Sequence, residues 1–204
     1  MVSEKLSRLE EELIKIGITI AKKNEGALFL IGDHIPHKKL IHQKVNKFNI
    51  FKAGAKKLLL SLSMIDGAIL INKKGTVYQY GAKVPSNKVY KGFGTRTSAG
   101  YSMSFRKDTT AILVSQEEKK IKLFKQGKIL FQIDALEKNV EKEVSELNIL
   151  LQTLGVSSVP TVIGASGLLT VNVPIATGIL VFGVPYYLYK RFMEGKRGWD
   201  GNRG

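Results

Sequence analysis

The stretch Asp66-Gly67-Ala68-Ile69-Leu70-Ile71-Asn72-Lys73-Lys74-Gly75-Thr76-Val77-Tyr78-Gln79-Tyr80 decides how this chain folds. Residues 68–71 are continuously apolar, the pattern of a strand covered on both faces. Asn72-Lys73-Lys74-Gly75 is a turn, and residues 76–80 read as the returning arm of a hairpin. Runs of the same kind lie on either side. Upstream, Ala27-Leu28-Phe29-Leu30-Ile31 is a short apolar run closed by Gly32. Downstream come Ala111-Ile112-Leu113-Val114, then Ile121-Lys122-Leu123-Phe124 and, after Gln126-Gly127-Lys128, Ile129-Leu130-Phe131.

Helical spacing appears between these strands. Over residues 3–23, Leu6, Leu9, Leu13, Ile16, Ile18 and Ile20 recur close to a helical period, and Asn24-Glu25-Gly26 stops the helix. Residues 51–63 read as a second helix with Lys52, Lys56 and Lys57 on its wet side, and residues 101–105 as a short third one. Helices mixed with buried and hairpin-linked strands predict an α/β domain: a mixed β-sheet flanked by helices.

Composition narrows the chemistry. The 204 residues contain no cysteine and three histidines, which removes disulfides, thiolate metal sites and cysteine nucleophiles and argues against a zinc enzyme. Lys and Arg number 32 against 17 Asp and Glu, a net charge of +15, which suits a polyanionic partner. His34, His37 and His42 read as a surface loop, since Asp33 is the sole nearby carboxylate. Trp199, in a Gly-rich tail, has no readable role.

Charge is unevenly distributed. Residues 1–22 are charged throughout, unlike a signal peptide. From 147 to 189 there is no Asp, Glu, Lys, Arg or His. The expected organisation is therefore a soluble domain over 1–134, an amphipathic connecting helix over 135–154, and an apolar segment with a basic tail over 155–204. The connecting stripe Leu136, Val140, Val144, Leu147, Leu151 and Leu154 could pair with its twin in a second copy. A bilayer crossing takes about 20 residues, so the uncharged stretch could hold two short helical crossings with a turn at Asn172-Val173-Pro174. Tyr186-Tyr187-Leu188-Tyr189 beside Lys190-Arg191 resembles a lipid–water boundary. The alternative is a soluble apolar extension, rich in Gly and Pro, packed on the domain or on a partner.

Two segments carry the candidate chemistry. Asp66-Gly67-Ala68 leads into a buried strand. Gly94-Thr95-Arg96-Thr97-Ser98-Ala99-Gly100 has the ingredients of a phosphate cradle: glycines that let N–H groups approach an anion, three hydroxyls, and a guanidinium fork. Alone, the second is as readily a helix cap with a glycine turn, and an Asp-Gly pair is usually only a turn.

In combination they carry more. Met64-Ile65-Asp66-Gly67-Ala68-Ile69-Leu70-Ile71, then Gly94-Thr95-Arg96, then Ala111-Ile112-Leu113-Val114-Ser115-Gln116-Glu117 resembles the diadenylate cyclase (DAC) domain family. Glu25-Gly26-Ala27-Leu28-Phe29-Leu30-Ile31-Gly32 resembles its first core strand, and the likeness spans about residues 10–133. The resemblance implies condensation of two ATP into cyclic di-AMP and two pyrophosphates, helped by Mg²⁺ or Mn²⁺, in a homodimer or higher homo-oligomer with two domains face to face. It implies that Asp66 orients the attacking 3′-hydroxyl and helps hold the metal. Gly67 and Ala68 would let the ribose approach. Gly94, Thr95, Arg96, Thr97, Ser98 and Ser115 would bind the triphosphate, and Glu117 falls where some members place a metal-binding acid. The family's second loop is Gly-Thr-Arg-His-Arg; here Thr97 and Ser98 replace the last two residues, with loss of an imidazole and a cationic fork. ATP being cytoplasmic, the resemblance implies a cell-membrane protein with its catalytic domain and basic tail on the cytoplasmic side.

Rival functions are a catalytically inactive sensor that binds ATP or cyclic di-AMP, for which Thr97 and Ser98 argue, and a basic nucleic-acid-binding protein. The latter has only the net charge behind it, with no basic helix or interleaved aromatic surface. Nucleic acid is not an expected partner.

Overall fold

The structure, a computed structural model, describes residues 7–42, 46–88, 94–137, 140–141 and 144, and the backbone of 173–176 and 179–181. Among the described residues, helices α1 (Arg8–Lys22), α2 (Ala55–Ser63) and α3 (Thr95–Ser104) cover the two faces of one sheet. Its strands are β1 (Ala27–Ile31), β2 (Lys38–Lys39), β3 (Phe48–Asn49), β4 (Ala68–Ile71), β5 (Thr76–Lys83), β6 (Thr110–Ser115), β7 (Lys120–Lys125), β8 (Lys128–Asp134), β9 (Val173–Ala176) and β10 (Ile179–Val181). The order is β2-β5-β4-β1-β6-β7-β8-β10-β9, with β3 also on β5. Among the described strands, β1 and β4 pair in parallel and every other pairing is antiparallel, so the sheet is mixed as expected.

Every residue of β1 and β4 is buried. Alternation then divides them between two cores. Ala27, Phe29, Ile31, Ile69 and Ile71 join Leu13, Ile16 and Leu59 under α1 and α2. Leu28, Leu30, Ala68 and Leu70 join Met103 under α3. Gly100 lets α3 come close to the sheet: a Cβ there would stand 3.0 Å from Leu28 Cδ1.

At the start of α1, Ser7 Oγ accepts from the Glu10 N–H (3.2 Å) and Glu10 Oε2 accepts from the Ser7 N–H (2.8 Å), a capping box. Glu10 is buried, and its carboxylate also meets Lys125 Nζ at 2.8 Å. The pair ties α1 to β7.

Three expectations need correction. α2 begins at Ala55 rather than residue 51, because Gly54 takes a left-handed conformation (φ 78°) and residues 51–54 form a turn. The third helix runs over Thr95–Ser104, so the predicted cradle is mostly the first turns of a helix. The helical crossing expected beyond Asn172–Pro174 is strand instead: β10 pairs with β8 and β9 closes the sheet. Pro174 lies in that outermost strand, where its missing N–H costs no ladder bond toward a further neighbour. Among the described residues no helix is long and apolar enough to cross a membrane. Residues 145–172 and 182–204, with most of the predicted uncharged stretch, the aromatic–basic edge and Trp199, lie outside the described residues.

The connecting stripe also finds a partner in its own chain. Val140 and Val144 are buried in the core under α1, while Leu136 is exposed. Phe29 is fully buried between α1 and the sheet. Phe29→Ala is expected to cost about 3–5 kcal/mol of folding stability, read from the shift in denaturant midpoint at unchanged slope.

Candidate functional site

Strand polarity assembles the site. Parallel pairing sets the N-terminal ends of β1 and β4 side by side, with Phe29 opposite Ile69. Antiparallel pairing brings the C-terminal end of β6 to the same edge, with Ala27 opposite Val114. Gly26, Asp66 and the Ser115-Gln116-Glu117 turn therefore share one end of the sheet. The N-terminus of α3 reaches the same place, as Arg96 shows.

Arg96 is the hub. Its Nη1 donates to the Gly26 carbonyl at 3.1 Å, and its Nη2 to Asp66 Oδ1 at 3.3 Å. A Cβ on Gly26 would stand 3.0 Å from Arg96 Nη1, 3.2 Å from the Val114 carbonyl and 3.4 Å from Gln116 Cβ. Glycine at 26 thus allows α3, β1 and β6 to converge. Asp66 Oδ1 also accepts from the Gly67 N–H at 2.9 Å, which fixes the carboxylate at the mouth of β4. The Asp66 side chain is 86% exposed and that of Arg96 36%. A pair so open to water is worth about 0–1 kcal/mol, so an incoming phosphate can take the guanidinium at little cost.

Gly67 is required by geometry. Its φ is +100°, and a Cβ would fall 2.8 Å from Ala82 N and 2.9 Å from the Gly81 carbonyl carbon, both backbone. Gly94, extended, meets nothing within 4 Å. It is the N-cap of α3 and supplies no side-chain cap, which leaves first-turn N–H groups to face an anion.

The other predicted residues divide. Thr95 is exposed beside the site, and Ala68 is buried in β4. Thr97 and Ser98 are buried on the inward side of α3 rather than open in a loop. Ser115 Oγ accepts from the Glu118 N–H at 3.2 Å, so its hydroxyl closes the β6–β7 turn. Glu117 is exposed on that turn. Gly26 as an acceptor for Arg96 and Gln116 as its neighbour were not foreseen. Their signal, positions flanking two buried strands, is visible only once the strands are paired.

The donor set fits a hard divalent cation of the kind that keeps its waters and binds through one or two carboxylates plus substrate phosphates. Asp66 supplies an accessible carboxylate at the mouth of the site. Among the described residues, no group of three or more His, Asp or Glu side chains forms a self-sufficient metal cage. His34 and His37 stay in a surface loop, with His37 Nδ1 2.8 Å from the Ile35 carbonyl.

A family model described as DisA bacterial checkpoint controller nucleotide-binding, DAC, matches residues 17–129. The chain belongs to the DAC family. Among DAC relatives, a diadenylate cyclase of Methanocaldococcus jannaschii is 31% identical over 147 residues, covering 65% of this chain and 48% of that protein. A diadenylate cyclase of Haloferax volcanii is 27% identical over 143 residues, covering 60% and 51% respectively. The chain spans about half the length of these curated relatives. A double mutant of DacA from Staphylococcus aureus is 19% identical with a TM-score of 0.46, covering 68% of this chain and 94% of that one.

The two glycines of the candidate site give a paired prediction. Gly67→Ala is expected to lower stability by about 1–3 kcal/mol, from backbone strain at positive φ. Gly94→Ala should cost less than about 1 kcal/mol, a cap effect alone. Equal losses in denaturant unfolding would show that the Asp66–Gly67 turn is not constrained by its approach to Ala82.

Proposed function

We propose that this protein is a diadenylate cyclase that condenses two ATP into cyclic di-AMP with release of two pyrophosphates. Family membership supports nucleotide chemistry of this class. The observation that carries the reading is the meeting of Asp66 with Arg96, one acid and one phosphate-binding cation drawn together from separate segments.

In the proposed reaction the 3′-hydroxyl of one ATP attacks the α-phosphorus of another. A P–O bond forms, the bond to pyrophosphate breaks, and the hydroxyl proton is lost; repetition closes the ring. Asp66 accepts a hydrogen bond from that hydroxyl and orients it in line. Arg96 leaves Asp66 for the triphosphate, so nucleotide binding itself frees the carboxylate. Thr95 and the first-turn N–H groups of α3 add donors to the phosphates. Gly67, with no side chain above Ala82, keeps the approach to β4 open. Asp66, joined by Glu117 if the turn delivers it, would hold Mg²⁺ or Mn²⁺, which neutralises charge developing on the phosphates. A symmetric product from two ATP requires two sites facing each other, so the active state is a homodimer or higher homo-oligomer.

We also propose that the uncharged stretch 147–189 attaches the protein to the cytoplasmic side of the cell membrane. The pairing of β10 with β8 favours attachment at the surface over a two-crossing hairpin, because the chain is back at the same sheet by residue 173. Full-length protein should cosediment with lipid vesicles and persist through high-salt washing, which strips proteins held only by charge. Release by salt alone would reject the apolar attachment.

The deciding experiment is incubation of the full chain with ATP and Mn²⁺ and detection of cyclic di-AMP, with specific activity rising with enzyme concentration. Asp66→Asn should abolish product while the protein stays folded, since shape is kept and charge removed. Arg96→Ala should weaken ATP binding by about 1.5–3 kcal/mol, the worth of a charge-assisted hydrogen bond. ATP binding without turnover in the parent protein would favour the inactive sensor, the reading that Thr97 and Ser98 support.

A further inference from the structure

Lys122 is a lysine in the wrong place for solubility. It sits in the middle of β7 with its side chain 3% exposed. Its cross-strand partner on one side is Leu113, a core residue under α3. Taking an ammonium out of water costs several kcal/mol unless it is paired. Here the pairing is with Glu118, whose Oε2 lies 2.5 Å from Lys122 Nζ.

Glu118 belongs to the β6–β7 turn, and the same turn serves the candidate site. The Glu118 N–H donates to Ser115 Oγ, and Gln116 Cβ packs where Gly26 and Arg96 meet. The register on the other side is equally telling. Tyr101 of α3 stacks edge-on against Phe124, with centroids 6.3 Å apart. Lys122 is two strand residues from Phe124 toward the turn, roughly 6.6 Å. Thr97 and Ser98 are one helical turn from Tyr101 in the same direction, roughly 5.4 Å. Farther the other way, Phe105 packs on Gly127, which confirms the direction of α3 along β7. Lys122 therefore lies beneath the first turn of α3 and ties down the turn beside it.

We propose that Lys122 is a positioning residue for the nucleotide site, acting through Glu118 to hold the Ser115–Glu118 turn against Arg96 and the start of α3. This rests on the reading of that site as an ATP site. Lys122 does not touch substrate. It removes freedom from the segment that closes one wall of the site, so that Arg96 keeps its place beside Gly26 when it exchanges Asp66 for a phosphate. Apolar side chains at both 118 and 122 would serve stability as well, since replacing both partners of a buried ion pair by apolar groups is often neutral or stabilising. A purely structural role gives no reason for the charge.

The test compares the full-length parent with Lys122→Met, Lys122→Arg and Glu118→Gln. The probe is the α,β-methylene analogue of ATP, titrated in EDTA so that neither metal nor turnover enters. Amide hydrogen exchange over residues 116–119 is measured alongside. Lys122→Met, which leaves Glu118 without its partner, should lower the melting temperature while the protein stays folded, speed exchange in the turn, and weaken analogue binding about five- to tenfold, the usual size of coupling between contacting groups. Lys122→Arg, which keeps the charge, should restore both readouts. Should Lys122→Met fail to fold, Glu118→Gln releases the tether from its more exposed end and should show the same loosened turn and weakened binding. Binding within twofold of the parent in the folded variant overturns the positioning role and leaves the ATP reading intact. A parent that binds no analogue overturns the ATP reading, and this role with it.

Discussion

The structure depends on β1 being covered on both faces and paired on both edges. Its five residues, Ala27–Ile31, are all buried. Such a strand needs helices above and below, and α1 and α3 answer that need. It also needs a neighbour on each edge: β4 supplies the parallel one and β6 the antiparallel one. Those two polarities place Gly26, Asp66 and the β6–β7 turn at one end of the sheet. Chemistry at that end is thus a consequence of topology, and the glycine before β1 is the point where three segments meet.

Electrostatics at the site is kept loose. Asp66 and Arg96 are paired at 3.3 Å, yet both remain partly in water. A deeply buried pair would resist opening, since breaking it leaves an uncompensated charge. An exposed pair separates for a modest cost, which suits the proposed role in which each group turns to a different part of a nucleotide. The buried ion pairs lie elsewhere, at Glu10–Lys125 and Glu118–Lys122, where they join α1 to β7 and the β6–β7 turn to β7. Rigid ties surround the site and a weak one lies inside it.

How much of this is legible in the sequence varies with what holds each element. β1, β4 and β6 are readable because continuous burial leaves continuous apolar runs, and β7 is readable from Ile121, Leu123 and Phe124 although Lys122 interrupts its run. The meeting of Asp66 with Arg96 follows from the family resemblance, whereas Gly26 as acceptor needs the pairing register. α3 is misread as loop because Thr95-Arg96-Thr97-Ser98-Ala99-Gly100 is rich in hydroxyls and glycine, poor helix formers without apolar spacing. Tertiary packing of Gly100 and Met103 on the sheet overrides that weak propensity. β2 and β3, two residues each, have too little pattern to read. At 173–181 the uncharged composition resembles a membrane segment, but Val173, Ile175, Ile179 and Val181 are β-branched and pair as strands.

The burial of Thr97 and Ser98 changes what their departure from the family's His and Arg means. In an open loop, the loss of an arginine at 98 would subtract a phosphate ligand directly. In α3, position 98 is 6% exposed. An arginine there would lie over the part of β7 where Lys122 already places a buried ammonium, and two cations so close in a low dielectric repel strongly. A small hydroxyl at 98 and a lysine at 122 are therefore compatible with each other in a way that arginine and lysine are not. In the function proposed above, direct contact with phosphate is left to Arg96 and the N–H groups of the first turn, on a helix whose footing is set from the strand below.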